Sequence, residues 1–305
     1  MQYLHEIVTA LDQLYSVKEY GKDGGFSRFL PPVYDAISFD WKHFFEEDFT
    51  ELFNGLMIRG ADIVNHIFLA VFPTDHVLEV FIEQSIPGDL LFMHHPLLME
   101  CGDPRGLPGK GFVPIKETYL KQMKEKNLSI YTCHGPMDFH QEVGTSVSIA
   151  KRFEGKIVDS FGPKWNDKPL GLICEIPKTT TQDLIAKAEK VFDIPYVDFE
   201  GVQYENIEKI AILAGCGDVV QLMKEAEEKG AQAYLAGEIH CHIDNDYGRY
   251  KYGLMMDYVK ETTMSLIGVS HSSSEYLVKK DVMKDVFDTM FETTQILIPQ
   301  EKWWL

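Results

Sequence analysis

The chain has 305 residues, of which 45% are apolar and 25% are charged. That length and apolar content suffice for one large hydrophobic core or two smaller ones, so we expect one or two globular domains. The 47 acidic and 29 basic residues leave a formal charge of −18 at pH 7. Such a charge repels phosphate backbones and anionic lipid surfaces, so we expect no direct nucleic-acid partner.

The cysteines and the N-terminus indicate the compartment. The five cysteines are an odd number without a C-x-x-C spacing, which argues against a disulfide framework and against a cysteine zinc site. The N-terminal residues lack a basic region followed by an apolar run, and no apolar stretch approaches the ~20 residues that cross a bilayer. We therefore expect a cytoplasmic protein without a membrane partner.

The first half begins with helices and continues with alternating strands and helices. Residues 1–50 predict amphipathic helices that break at "GKDGG" and at "LPP", followed by a helical stretch around "WKHFFEEDFTELF". Residues 66–72 predict a strand, and the next helix has Thr74 or Asp75 as its N-cap. The strand "GDLLFM" then ends at His94 and His95, and strand ends are where α/β folds bind ligands.

The second half repeats this plan. "KIAILAG" predicts a strand, "DVVQLMKEAEEKG" a helix with Asp218 near its N-cap, and "AQAYLAG" a strand that runs into "EIHCH". Each half adds a strand that ends in a histidine with a carboxylate four residues later. A strand-helix-strand-strand unit that occurs twice indicates an internal duplication whose halves face one another. The segment "QILIPQEKWWL" predicts a last strand.

Six side chains at these strand ends are candidate metal ligands. They are four imidazoles and two carboxylates, namely His94, His95, His134, Asp138, His271 and Glu275. This is too many ligands for one tetrahedral ion, but it suits two ions with about three protein donors each and open positions for water. A ligand set without cysteine is typical of a catalytic metal site.

Each candidate also has a structural interpretation. A His-His pair is often only structural. Asp138 is as well placed to be the N-cap of a helix in "FHQEVGTSVSIAKRF" as to bind metal. Ser272 and Glu275 match the S-x-x-E capping box, which would open the helix "YLVKKDVMKDVFDTM".

The order of "MHHP", "HGPMD", "GEIHCH" and "GVSHSSSE" resembles the Nif-three-like family. Its members are often named homologues of a type-two GTP cyclohydrolase I. The resemblance runs from about Asn54 to the C-terminus. It implies a dinuclear metal site whose ligands correspond to the six candidate side chains, and it implies a ring-shaped homohexamer.

The fold prediction is an α/β protein with two similar three-layer α/β/α halves related by internal duplication and a metal site in the cleft between them. We predict the N-terminal helices and the first half over residues 1–155. The second half, over residues 156–305, is expected to pack closely on the first.

Three polar residues in "GEIHCH" take the place in the second half that His94 and His95 hold in the first. We predict that Glu238 and His242 are catalytic, because they can orient a metal-bound water or transfer protons. His240 is the other histidine of this group. The alternative is a hydrogen-bond network around Glu238, His240 and His242 that only holds the metal ligands in place.

The function predicted from these observations is metal-dependent hydrolysis of a small-molecule substrate. Two divalent ions would activate water, and the ligand types suit Zn, Fe, Mn, Co or Ni without distinguishing among them. The substrate would be a nucleotide, a related heterocycle or a phosphoester. The alternative is a metal-stabilised oligomeric scaffold that binds partner proteins without catalysis.

Overall fold

The computed structural model describes residues 1–299 and Trp304. In this part of the chain, two compact units are present. The first comprises Met1–Met99, Phe112–Met137 and 279–299, and the second comprises Glu100–Gly111, Asp138–Val278 and Trp304. The domain boundary predicted between residues 155 and 156 stays a prediction. Among the described helices, none is both long enough and apolar enough to span a bilayer.

Helices and strands alternate along most of the chain. The first are β1 (Gln2–Tyr3), α1 (Leu4–Leu14), α2 (Val17–Tyr20), α3 (Phe26–Asp35), α4 (Trp41–Phe44), α5 (Glu47–Leu52), β2 (Gly55–Ile58), β3 (Ile63–Val64), β4 (His66–Ala70), α6 (Asp75–Gln84) and β5 (Leu90–Met93). Next come β6 (Leu98–Gly102), β7 (Pro108–Val113), α7 (Glu117–Glu125), β8 (Ser129–Thr132), α8 (Gly135–Asp138), α9 (Thr145–Arg152), β9 (Lys156–Trp165), β10 (Lys168–Thr179), α10 (Thr181–Phe192) and β11 (Asp198–Gly201). The last are β12 (Ile207–Cys216), α11 (Val220–Glu228), β13 (Ala233–Glu238), α12 (Asp246–Val259), β14 (Ser265–Gly268), α13 (His271–Val278), a π-helical turn (Lys279–Met283), α14 (Lys284–Met290) and β15 (Thr294–Leu297).

The first unit is built on a five-stranded sheet with the order β15-β4-β5-β8-β2. Strands β15, β4, β5 and β8 are parallel, and β2 runs antiparallel to β8. All residues of β5 are buried, as expected for a parallel strand that is covered on both faces. Phe68 and Leu91 of the sheet share a core with Phe26, Leu30 and Tyr34 of α3.

The second unit contains a six-stranded sheet with the order β11-β14-β13-β12-β10-β9, in which β12, β13 and β14 are parallel. One face packs on α9, α10 and α13, with Leu235 and Ile267 in its core. The other face packs on α11 and α12, with Ala236 and Leu266 in its core. This unit is therefore a three-layer α/β/α sandwich.

The mixed α/β fold class is confirmed. The two sheets each contain three successive parallel strands, β4-β5-β8 in the first unit and β12-β13-β14 in the second. This common plan supports the predicted internal duplication, which stays a proposal.

Local signals gave correct element types but misplaced some ends. Thr74 is the N-cap of α6, since its side chain accepts a hydrogen bond from the Val77 amide. The break predicted at "LPP" is wrong, because α3 continues through Pro31 and Pro32. The buried residues Phe26, Leu30 and Tyr34 recur every four positions in α3. Burial of that face outweighs the two backbone hydrogen bonds that the prolines remove.

Of two further predictions of helix limits, one is corrected and one is confirmed. The stretch "WKHFFEEDFTELF" forms two short helices, α4 and α5, because Phe45 between them is extended. As predicted, Asp218 lies near the N-cap of α11, which is the next residue, Val219, and has no side-chain hydrogen bond. The Asp218 carboxylate Oδ2 lies 3.5 Å from Lys251 Nζ.

Candidate metal centre

Three imidazoles meet at the carboxyl-terminal edge of the sheet in the first unit. His94 and His95 follow β5, and His134 follows β8, so the pairing of these two parallel strands brings the histidines together. The three ring centroids are 4.8–5.2 Å apart, and a nitrogen from each ring lies within 4.8 Å of the others. His94, His95 and His134 are called the imidazole set below.

Hydrogen bonds fix the tautomers of two of these rings. His94 Nδ1 lies 2.7 Å from the carbonyl oxygen of Cys133, and His134 Nδ1 lies 2.9 Å from Asp23 Oδ2. A carbonyl or a carboxylate oxygen only accepts, so Nδ1 carries the proton in both rings. The Nε2 atom then holds the lone pair that a metal ion requires.

Asp23, which sequence reasoning missed, connects the chain before α3 to the imidazole set. Its Oδ1 accepts hydrogen bonds from the amides of Gly25 and Phe26, and its Oδ2 accepts from His134 and from the Gly135 amide. Burial would raise the pKa of Asp23, but the interactions with His134, Phe26 and Gly135 hold it well below its usual value. Asp23 is therefore an ionised acceptor. The only local signal for it was the break "GKDGG".

Aromatic packing and a backbone contact hold the rings of the imidazole set. The Phe26 ring meets His134 and His95 edge-on, with centroid distances of 4.7 and 5.3 Å. Phe72 packs on His95 from another side at 4.5 Å. The Asn54 side chain accepts a hydrogen bond from the His134 amide at 2.7 Å. Such packing orients side chains before a ligand binds.

The second unit presents a different set of donors at the end of β14. Ser270 follows the strand with a φ of 74°, a left-handed conformation, and α13 begins at His271. Glu275 lies one turn later, with Oε1 3.0 Å from His271 Nε2. Because α13 already begins at His271, Ser272 lies inside the helix and the capping-box interpretation of Glu275 is wrong.

Glu238 and two thiols surround His271. Cys101 Sγ and Cys216 Sγ each lie 3.5 Å from His271 Nδ1, and Glu238 Oε1 lies 3.7 Å from the same atom. The Cys216 thiol also donates to Glu238 Oε2 at 3.3 Å. Donors of Cys101, Glu238 and His271 are close enough to hold one ion. The expectation of a ligand set without cysteine stays a prediction, but the sequence did not indicate that two thiols lie beside His271.

His271 and Cys101 differ in how their surroundings shift their pKa values. Burial would lower the pKa of His271, but the Glu275 carboxylate opposes burial, and the pKa of His271 lies well above its usual value. Burial and the nearby Glu238 raise the pKa of the Cys101 thiol. Cys101 is therefore a neutral thiol near neutral pH, which does not suit a cysteine nucleophile.

Asp138 is the last residue of the short helix α8 and belongs to the second unit. Its Oδ1 accepts a hydrogen bond from the Thr145 hydroxyl at 2.8 Å. Helix α9 begins only at Thr145, with Gly144 as its N-cap. The interpretation of Asp138 as a helix N-cap is therefore wrong, and its role as a metal ligand stays a prediction.

The predicted catalytic residue His242 belongs to a third group of side chains. Asp198 Oδ2 lies 2.7 Å from His240 Nδ1 and 3.4 Å from His242 Nε2. Burial would raise the pKa of Asp198, but the hydrogen bonds from His240 and His242 lower it to about 2. Asp198 was not singled out from the sequence, because its partners lie more than forty positions away.

Comparisons with known proteins give a consistent result. The family described as Duf34/NIF3 (NGG1p interacting factor 3) matches residues 47–301. A "GTP cyclohydrolase 1 type 2 homolog" from Pyrococcus abyssi is 27% identical over 76% of this chain and 83% of its own. A protein of the same name from Deinococcus radiodurans is 26% identical over 71% of this chain and 77% of its own. A hypothetical protein from Staphylococcus aureus has a similar fold, with a TM-score of 0.65 at 16% identity over 97% of this chain and 96% of its own.

Proposed function

Because the chain belongs to the Duf34/NIF3 family, we propose that it is a metal-dependent hydrolase with a site for two divalent ions. The proposed ligands are His94, His95, His134, Asp138, His271 and Glu275. The observation that carries this proposal is the fixed tautomer of His94 and His134, in which the proton on Nδ1 places the lone pair on Nε2, the form of the ring that binds a metal. A ligating histidine in proteins usually donates its second nitrogen to a carbonyl or a carboxylate in this way.

The donor types fit such ions. Imidazole nitrogens and carboxylate oxygens suit Zn, Fe, Mn, Co and Ni, and the thiols near His271 would favour Zn among them. The rings of His94 and His95 are buried and held by neighbouring aromatic rings, so little ordering remains when an ion binds. The donor set therefore meets the requirements of a catalytic rather than a purely structural site.

Bound divalent ions would supply a nucleophile from water near neutral pH and would neutralise negative charge that develops on the substrate. Glu238 is the residue that we assign to proton transfer. Its side chain is buried, it lies 3.7 Å from His271, and the Cys216 thiol donates to its other oxygen. Glu238 would accept a proton from the attacking water and return it to the leaving group. The same role for His242 stays a prediction.

The names of the relatives suggest the substrate class. Several are named after a GTP cyclohydrolase, which favours a nucleotide or a related heterocycle as the substrate of this chain. Phosphoesters are the second class to test, because sites with two metal ions commonly act on them. A homohexamer, as the family resemblance implies, is part of the proposal.

The test is a substrate screen with the metal-loaded protein. Nucleotides, pterins and phosphoesters are incubated with the wild type, with His95→Ala and with Glu238→Gln. We expect turnover by the wild type, and a loss of 10²- to 10⁴-fold in Glu238→Gln, whose metal content stays unchanged, as is typical when a proton-transfer group is removed. His95→Ala should lose both metal and turnover. His76→Ala, on the surface-exposed side of α6, is the control.

The contrary outcome is equally specific. If no substrate of the three classes is converted, and added metal changes only the state of assembly, the hydrolase proposal fails. The scaffold alternative would then be supported. If Glu238→Gln retains full turnover, hydrolysis stands but the assignment of Glu238 does not.

A further inference from the structure

We propose that Asp198, His240 and His242 form a second kind of metal site, which binds one divalent transition-metal ion. These three side chains share no donor with the six ligands of the proposed function. One donor atom from each lies within 4.8 Å of the others. Two imidazoles and a carboxylate are a common protein ligand set for Zn²⁺ and Fe²⁺. All three residues lie in the second unit.

The distances are close to those that one ion requires. Two ligands at zinc distances in a tetrahedral shell are about 3.3 Å apart. Asp198 Oδ2 lies 3.4 Å from His242 Nε2 and 2.7 Å from His240 Nδ1. Binding therefore needs only one of these separations to widen, by less than about 1 Å. The side chains of Asp198 and His242 are 14% and 20% exposed, so an ion can reach them from solvent.

A buried ring nitrogen of His240, Nε2, gives independent evidence for the proposed metal site. The His240 side chain is 3% exposed, and among the described residues its buried Nε2 has no hydrogen-bond partner. In the ion-free ring, the proton lies on Nδ1 because Asp198 accepts there, so Nε2 presents a lone pair. Glu200 Oε1 lies 3.8 Å from this Nε2. A lone pair that faces a carboxylate is unfavourable, and a buried acceptor without a donor is costly.

An ion on Nδ1 would remove this conflict. The proton of His240 would then lie on Nε2 and point toward Glu200. A metal on one ring nitrogen and a carboxylate on the other is the usual arrangement of a ligating histidine. Asp198 and Glu200 are two residues apart in β11, so the alternation of the strand places both carboxylates on the face that meets His240.

The backbone of His242 is held by the β6–β7 hairpin. The Gly109 amide donates to the His242 carbonyl oxygen at 3.0 Å, and the Gly109 carbonyl accepts from Asp244 at 3.0 Å. Gly102 in the same hairpin has a φ of 92°, and a Cβ there would lie 2.7 Å from the His242 carbonyl oxygen. The Tyr252 ring packs on both imidazoles, with centroid distances of 5.1 and 5.8 Å. The donors are thus held in place without an ion.

The experiment counts ions. Chelator-treated full-length protein is equilibrated with Co²⁺, and the bound metal is measured by elemental analysis together with the visible absorption of cobalt. The variants are Asp198→Asn and His242→Gln, each also made in the His95→Ala background. Tyr252→Phe, which keeps the ring packing, is the control. Near-ultraviolet circular dichroism checks that the fold of each variant is intact.

We expect Asp198→Asn and His242→Gln to bind one Co²⁺ fewer per chain than the wild type. In the His95→Ala background, each should bind one Co²⁺ fewer than His95→Ala alone. Tyr252→Phe should bind as much as the wild type. Equal uptake by the wild type and by a folded His242→Gln would overturn the proposal, and the group would then be a hydrogen-bonded carboxylate with two histidines. A loss of ions in His95→Ala alone would leave the proposed function intact and contradict only this inference.

Discussion

At the scale of single residues, Asp23 shows that a neighbouring side chain can set the tautomer and the orientation of a candidate metal ligand, here His134. The carboxylate accepts the Nδ1 proton of His134 and thereby orients Nε2. Histidines at strand ends are visible in the sequence as "MHHP" and "HGPMD". Asp23 is not, because its contact with His134 spans 111 positions and no local pattern encodes it. The candidate ligands could therefore be named from the sequence, whereas the residues that orient them could not.

Replacement of Asp23 by Asn tests this role. Asn still accepts from the amides at the start of α3, so the helix stays capped. Its amide group cannot accept the Nδ1 proton of His134 while it also caps the helix. We expect the affinity of the protein for Zn²⁺ to fall 10- to 100-fold, as measured by calorimetric titration. Asp35→Asn, at the other end of α3, is the control, and equal affinities of the two variants would contradict the role of Asp23.

At the scale of elements, apolar periodicity and caps predicted most strands and helices. The buried run of β5 and the Thr74 cap of α6 are examples. The errors arose where tertiary packing outweighed local propensity. Helix α3 continues through Pro31 and Pro32 because its buried face is fixed against the core. Helix α13 begins five residues before the predicted helix, at His271 itself, and so places His271 and Glu275 on one face.

The carboxyl-terminal end of strand β12 limits the space around the donors of α13. Gly215 has a φ of 70°, and a Cβ there would lie 2.5 Å from Glu275 Oε1 and 3.2 Å from His271 Nε2. Gly215→Ala should lower the free energy of unfolding by about 1–2 kcal/mol, because the left-handed conformation disfavours a side chain. It should also weaken Zn²⁺ binding by displacing both donors.

Urea unfolding and metal titration check this prediction. Gly253→Ala in α12 is the matched control, since a Cβ there meets no atom within 4 Å. We expect that control to raise the free energy of unfolding by about 0.5–1 kcal/mol, because alanine favours a helix. Unchanged metal affinity in Gly215→Ala would contradict the close approach of this strand end to the donors.

A second element-scale prediction concerns Glu227, which links α11 to the start of β14. It accepts hydrogen bonds from Tyr258, Thr262 and Thr263. Burial would raise the pKa of Glu227, but the hydrogen bonds from Thr263, Tyr258 and Thr262 lower it. A carboxylate with a lowered pKa in the folded state adds stability above its unfolded pKa, and this stability is lost as the pH falls.

Glu227→Gln should therefore lower the free energy of unfolding by about 1 kcal/mol at pH 7. The difference from the wild type should shrink as the pH falls below about 4.3, the pKa of an unperturbed glutamate. Urea unfolding at a series of pH values measures both. The exposed neighbour Glu228→Gln is the control, and a pH-independent difference for Glu227→Gln would show that the charge is not responsible.

At the scale of the whole molecule, each unit contains three parallel strands in chain order, and this common plan supports the proposed internal duplication. In the first unit, His94 and His95 follow β5 and His134 follows β8, and in the second unit His271 follows β14. The recurrence of strand, helix and polar strand end was visible in the sequence, since it depends on local periodicity. The antiparallel strands β9, β10 and β11, which complete the second sheet, lack a counterpart in that repeat, and their pairing depends on contacts across the sheet. The arrangement of the six ligands around two ions stays the central prediction.

Anomalous diffraction from crystals of the protein loaded with Zn²⁺ tests that prediction most directly. We expect two strong peaks, each within about 2.0–2.2 Å of nitrogen or oxygen atoms, whose ligands together are His94, His95, His134, Asp138, His271 and Glu275. Data collected on both sides of the zinc absorption edge identify the ion. Peaks at other sites only, with no metal on these six side chains, would contradict a two-metal site built from these ligands.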